Sequence, residues 1–188
     1  MAKKKRTALW VTLGILGFVI ALLLGCLIFV EASIKNLDSS LDEKQGQVVA
    51  AFESRSEALK DLSNAVKSKM DLDPQVFTEL ENAEKQLKAA ADVKAMSDAN
   101  LRVDTAVDNL FFVLRDKYYY LEGPELWKIE EDIDSARSRI VIESTDYNKV
   151  AKDYNYAISN FPGDFLSNIF EHNKTEVFQI VEYKDIRL

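Results

Sequence analysis

The chain has 188 residues, 47% hydrophobic and 29% charged, with a formal net charge of −7 and a single cysteine and histidine. Residues 1–6 carry four positive charges and residues 7–30 none, which leaves −11 on residues 31–188. That balance argues against nucleic acid as a partner and predicts a domain that stands off anionic lipid, while one cysteine excludes any disulfide within the chain.

Residues 7–30 are a continuous uncharged, mostly apolar run behind the basic tail Met1-Ala2-Lys3-Lys4-Lys5-Arg6. As a helix this run would be about 36 Å long against a hydrocarbon core of roughly 30 Å, so it predicts a single tilted transmembrane helix with the lipid bilayer as its partner. A cleaved signal peptide fits less well, because the run is long and neither Gly25-Cys26 nor Glu31-Ala32-Ser33 has the form of a cleavage site. Leu23-Leu24-Gly25-Cys26 is similar to a lipoprotein processing site, but Leu27-Ile28-Phe29-Val30 prolongs the apolar run where a polar tether would begin. Cys26 otherwise reads as one more apolar side chain. The basic tail on one flank, against Glu31, Lys35 and Asp38 on the other, predicts a cytoplasmic N-terminus with the remainder outside.

Residues 31–170 then read as one helical domain. Leu37, Leu41, Val48, Phe52, Leu59, Leu62 and Val66 form a stripe from Ile34 to about Met70, weakened only by Gly46. No proline separates the stripe from the apolar run, so the two are expected to be one continuous helix. Asp73-Pro74 supplies a cap and a first-turn proline for a second segment carrying Phe77, Leu80, Ala83, Leu87 and Ala90. Its stripe fades between Ala89 and Asn100, where a break is expected, and resumes with Leu101, Val103, Val107, Leu110, Phe111 and Leu114. Gly123-Pro124 marks the next turn, after which Leu126, Ile129, Ile133, Ala136 and Ile140 lead into the last long helix.

That helix carries the most distinctive stretch, Arg139 to Gly163. Tyr147-Asn148, Tyr154-Asn155 and Phe161-Pro162 recur every seven residues, a period that predicts one buried, coiled-coil-like seam through Tyr147, Tyr154 and Phe161. Pro162 and Gly163 should end the helix, the glycine through its conformational freedom. Asn148 and Asn155 would then either fix helix register across the bundle or be solvated. The two Tyr-Asn pairs followed by Phe-Pro resemble the last long helix of the LemA family of bacterial membrane proteins. Leu37-Asp38, Val48, Phe52, Arg55, Leu59, Leu62 and Val66 are similar to that family's first helix, and Val177-Phe178 to its apolar tail, so the resemblance spans residues 34–183. Two positions depart from it: Tyr118-Tyr119 stands where the family has Tyr-Pro, and Ser144 where it has an arginine. The resemblance implies an all-α protein of the bacterial cell membrane, an antiparallel bundle behind a transmembrane helix, and no particular reaction. With short connections at residues 71–73 and 122–124, the expected bundle has three long helical segments, the middle one broken, and a short helix near Asp164 to Phe170.

Residues 171–188 read as a tail. Thr175 to Tyr183 alternates like a strand but has no partner strand, so it is expected to be extended, packing an apolar residue or two. Chemistry is sparse. A di-iron site needs Glu-x-x-His pairs, which are absent, and His172 reads as a solvated tail residue. Glu130-Glu131-Asp132 and Asp71-Leu72-Asp73 lack the spacing of a calcium loop. Gly46, Gly123 and Gly163 are too scattered for a phosphate loop, and Asn173-Lys174-Thr175 matches a glycosylation acceptor only as a chance triplet. No catalytic, cofactor-binding or metal-binding residue is therefore assigned, and no cofactor is expected. Tyr118, Tyr119 and Tyr120 either pack under the following turn or present a partner surface. The reading is a non-catalytic scaffold or adaptor with protein partners, including self-association through Phe165, Ile169 and Phe170 or through the Val177–Val181 tail. An extracytoplasmic ligand-binding or sensory module is the alternative, its small-molecule ligand unspecified.

Overall fold

The computed structural model describes the backbone of residues 2–69, 74–117 and 124–180, and the side chains within these ranges except at 2–9, 68–69, 74, 76, 115–117 and 124–126. The expected features at Asp71 to Asp73, at Tyr118 to Tyr120, at Gly123 and beyond Ile180 lie outside the described residues. The fold is all-α, with helices α1 (Ala2–Lys69), α2 (Pro74–Ala89), α3 (Val93–Lys117), α4 (Pro124–Ser159) and α5 (Gly163–Phe170). Both α2 and α4 start at a proline, whose missing N–H and fixed φ suit the first helical turn. Helix α1 continues unbroken from the apolar run into the first stripe, and Gly46, exposed on it, costs about 1 kcal/mol relative to alanine without interrupting it.

The break in the second segment is narrower and sharper than the sequence pattern suggests. It occupies Ala90 to Asp92, where the Asp92 carboxylate accepts the Ala95 N–H at 2.7 Å and so caps α3. Across this short connection α2 and α3 pack against each other, and Arg102 donates to Gln86 Oε1 at 2.8 Å. They are two antiparallel helices of a hairpin, not one interrupted helix, because a three-residue linker between packed helices must reverse the chain.

The chain divides into two compact units. The larger comprises Leu41–Lys152 and Glu176–Leu188. Its core gathers Leu59, Leu62 and Val66 of α1, Phe77 and Leu80 of α2, Val103, Val107 and Leu110 of α3, and Ile133 of α4. These positions recur at helical spacing on each element, so each helix buries one apolar stripe in a four-helix arrangement. A second apolar cluster closes on the tail, where the Phe178 ring meets Tyr147 at 5.1 Å and Phe52 at 6.2 Å, both edge-on.

The smaller unit comprises Met1–Ser40 and Asp153–Thr175. Ile34, Tyr154, Ile158 and Leu166 are buried within it. The expected seam holds at Tyr147, 1% exposed, and Tyr154, 4%, but fails at Phe161, which is 85% exposed. Helix α4 stops at Ser159, so Phe161 no longer follows the helical phase that buries its predecessors, and its peptide bond to Pro162 is cis. Gly163 is also required for a different reason than expected. Its φ is not positive; instead, a Cβ there would collide with the Ala157 carbonyl, so only glycine lets α5 begin this close to α4. Helix α5 ends at Glu171, which adopts a left-handed conformation with φ 59° and turns the chain back after the last helical residue.

Candidate functional site

Three polar constellations link the described elements, the first in the larger unit, the second with one asparagine pair in each unit, and the third in the smaller unit. The first lies in the larger unit, where Asp104 on α3 sits between two buried arginines. Arg55 of α1 donates to its Oδ1 at 2.7 Å, and Arg137 of α4 approaches the same oxygen at 3.8 Å. Arg137 also donates to Asp108 at 2.6 Å and to the Asp104 carbonyl, while Asn100 donates to the second carboxylate oxygen of Asp104 at 3.3 Å. Arg55, Asp104 and Arg137 are all fully buried, so the ions replace lost hydration with one another and with Asn100. This arrangement fixes which helix faces meet.

The second constellation resolves the asparagine question with an answer the sequence did not suggest. Asn148 accepts from the Phe178 N–H at 2.7 Å and donates to the Phe178 carbonyl at 2.8 Å. Asn155 does the same to Thr175, at 2.9 and 2.8 Å. Each side-chain amide thus imitates a neighbouring strand for one tail residue, and Ser97 adds a bond to the Gln179 N–H at 2.8 Å. A signal was present in the spacing. The Tyr-Asn pair recurs after seven residues, and each of its asparagines takes one tail residue. As expected, the described part of the tail is irregular and buries one apolar residue, Phe178, while Val177 and Ile180 stay exposed.

The third constellation corrects the reading of His172 as a solvated residue. In the smaller unit its Nε2 lies 3.3 and 3.2 Å from the two oxygens of Glu31, and both side chains are largely buried. Which of the two donates is set by the imidazole tautomer. Lys35 approaches Glu31 at 3.3 Å and also stands 5.7 Å from the centre of the Phe170 ring. Burial pushes the Tyr154 phenol above its ordinary value, and the nearby Asp38 and Glu31 charges push it in the same direction. The turn at Glu171, invisible in the sequence, is what brings His172 back to α1.

A shallow groove of about 230 Å³ in the larger unit is lined by Val49, Phe52, Leu87 and Met96, with Arg55 and the Ser56–Glu84 hydrogen bond at its polar side. Among the described residues no group of three or more histidine, cysteine, aspartate or glutamate side chains converges as a metal site. Cys26 is exposed on α1.

The family model of LemA matches residues 44–187. No curated protein matches the chain. α1 is, among the described residues, the one helix long and apolar enough to cross a membrane, and its side chains from Trp10 to Phe29 are almost all exposed. A long apolar helix leading into a helical bundle, the Tyr-Asn repeat on α4 and a match over most of the sequence agree: the chain belongs to the LemA family.

Proposed function

We propose that this protein is a non-catalytic, membrane-anchored scaffold or adaptor whose helical bundle binds other proteins. The observation that supports this best is the outward face of α3 and α4. Leu101 and Phe112 lie eleven residues apart on α3, Trp127 and Ile142 fifteen apart on α4, and all four are exposed. The eleven-residue interval is close to three whole turns, so Leu101 and Phe112 share one apolar line on α3, while Trp127 and Ile142 stand about 60° apart around α4. Exposed aromatic side chains of this kind are suited to anchoring a protein partner. The buried ions are engaged with one another, which favours a structural over a reactive role for them. The apolar N-terminal part of α1 and the family membership fit a membrane-anchored helical protein. By the positive-inside bias it would cross the bacterial inner membrane once, N-terminus in the cytoplasm and bundle outside.

A small-molecule ligand between α1, α2 and α3 is the second reading, favoured by the apolar groove around Phe52, Leu87 and Met96. Its volume of about 230 Å³ falls below the roughly 300–1,000 Å³ usual for ligand pockets, which ranks this reading lower. Chemical cross-linking in whole cells separates the two. Reproducible protein adducts support the scaffold; a protein recovered only as a monomer, with a small molecule retained through purification, favours the ligand-binding module. A reporter active only outside the cytoplasm, fused after Leu188, tests orientation, and an inactive fusion beside an active cytoplasmic one overturns it.

A further inference from the structure

Helix α5 has one buried side and one bare apolar side. Leu166 and Gly163 face inward, whereas Phe165 and Ile169, one turn apart, are 53% and 55% exposed, and Phe170 and Phe161 are exposed beside them. The helix carries a single charge, Asp164. Its position in the smaller unit is tied to α1 at the first residues after the uncharged run. His172, two residues beyond α5, pairs with Glu31, and Phe170 lies beside Lys35. At the other end, Tyr154 on α4 feels Asp38 and Glu31, so α4 meets α1 at that same level before the chain turns into Phe161 and α5. These contacts hold the end of α5 within one to two turns along α1 of the exposed Ile28 and Phe29.

From this juxtaposition we infer that α5 is an interfacial anchor, its Phe165–Ile169 side inserted among lipid headgroups and upper acyl chains at the end of the transmembrane segment. The inference rests on the membrane-anchored reading above. If the apolar run spans the bilayer, its length of about 36 Å exceeds the roughly 30 Å core, and Glu31 emerges into the headgroup layer. A short helix held at that depth, with aromatic and branched apolar side chains outward and almost no charge, meets the conditions for lying in the interface. The −11 balance of residues 31–188 keeps the acidic surface off anionic lipid, and α5 is the near-neutral exception.

The test uses the full chain with Cys26→Ser, reconstituted in phosphatidylcholine vesicles, with nitroxide labels placed one at a time by Phe165→Cys, Ile169→Cys, Asn168→Cys and Ile28→Cys. These side chains are exposed, so labelling leaves the core intact, and circular dichroism checks that helicity is retained. Collision with oxygen reports lipid, and collision with a water-soluble nickel chelate reports solvent. The inference predicts oxygen over nickel at 28, 165 and 169, and the reverse at 168. Oxygen-dominated collision at 28 with nickel-dominated collision at 165 and 169 overturns the anchor while leaving the transmembrane helix standing. Low collision with both reagents at 165 and 169, together with spin–spin broadening, means a second copy covers this side and also overturns it. Nickel-dominated collision at 28 removes the membrane reading and the anchor with it.

Discussion

His172 Nε2 lies 3.2 Å from Glu31 Oε2, joining residues 141 positions apart through two side chains that are each only 12% exposed. This contact ties the segment after α5 to α1 at the first charged residue beyond the apolar run. Replacing His172 with alanine leaves Glu31 with Lys35 as its remaining partner there, a loss of about 1.5–3 kcal/mol for a hydrogen bond to a charged group. Hydrogen exchange of the full chain in detergent should therefore quicken over residues 163–172 and remain unchanged over 103–110. Unchanged exchange at 163–172 would mean that the pair holds nothing.

Asp104 is the shared partner of two buried arginines, whereas Asp108, which also bonds Arg137, is 56% exposed at its side chain. Asp104→Ala should cost about 3–5 kcal/mol because two buried guanidinium groups lose their common carboxylate, and Asp108→Ala about 1 kcal/mol or less. Urea midpoints followed by circular dichroism distinguish them. Replacing Arg55, Asp104 and Arg137 together by apolar residues of similar size should recover most of the stability lost in Asp104→Ala. Equal midpoints for the two single variants would contradict a buried ionic clamp.

The asparagine pairs predict separable effects on the tail. Asn148→Ala should raise exchange at the Phe178 amide about tenfold, and Asn155→Ala at the Thr175 amide by a similar factor, with helicity unchanged. Asn148→Asp should not rescue the first, since a carboxylate accepts from the Phe178 N–H but has no hydrogen for its carbonyl. Rescue by aspartate would mean that the donated bond is dispensable.

Tyr154 supplies a pH dependence. Its phenol is raised above 10.0, chiefly by burial, so the folded protein holds the proton where the unfolded chain releases it. The associated stability is complete below about pH 10 and is lost as pH climbs through the raised folded value. Tyr154→Phe should flatten the decline of the urea midpoint as pH rises above 10 relative to wild type. The same decline in both proteins would assign it to other groups.

Periodicity made the helices legible in the sequence, and it failed where the chain changes direction. The stripes of α1, α2 and α3 matched because each buried residue repeats the last one's angle on a cylinder, and prolines marked the starts of α2 and α4. Phe161 was misread because a heptad carries no information past the last helical turn. The interruption between α2 and α3 falls inside the stretch where the stripe fades, but that it reverses the chain was not legible, because three small or polar residues do not state an angle. The candidate site was less legible still. Asn148, Asn155, Glu31, His172 and Asp104 all act on partners at least 20 residues away, at 30, 20, 141, 141 and 49 positions. Such pairs leave no local pattern, and only the seven-residue recurrence of the Tyr-Asn pair marked two of these residues.

A partner protein that docks on the exposed apolar side chains of α3 and α4 would lie within reach of Phe112 and Trp127. A photo-reactive amino acid at Phe112 or Trp127 in living cells measures this directly, with exposed Asp132 on α4 as the control position. A docked partner gives adducts of one defined size from 112 and 127 and far fewer from 132. Absence of adducts at 112 and 127, or equal diffuse labelling at all three positions, would contradict it.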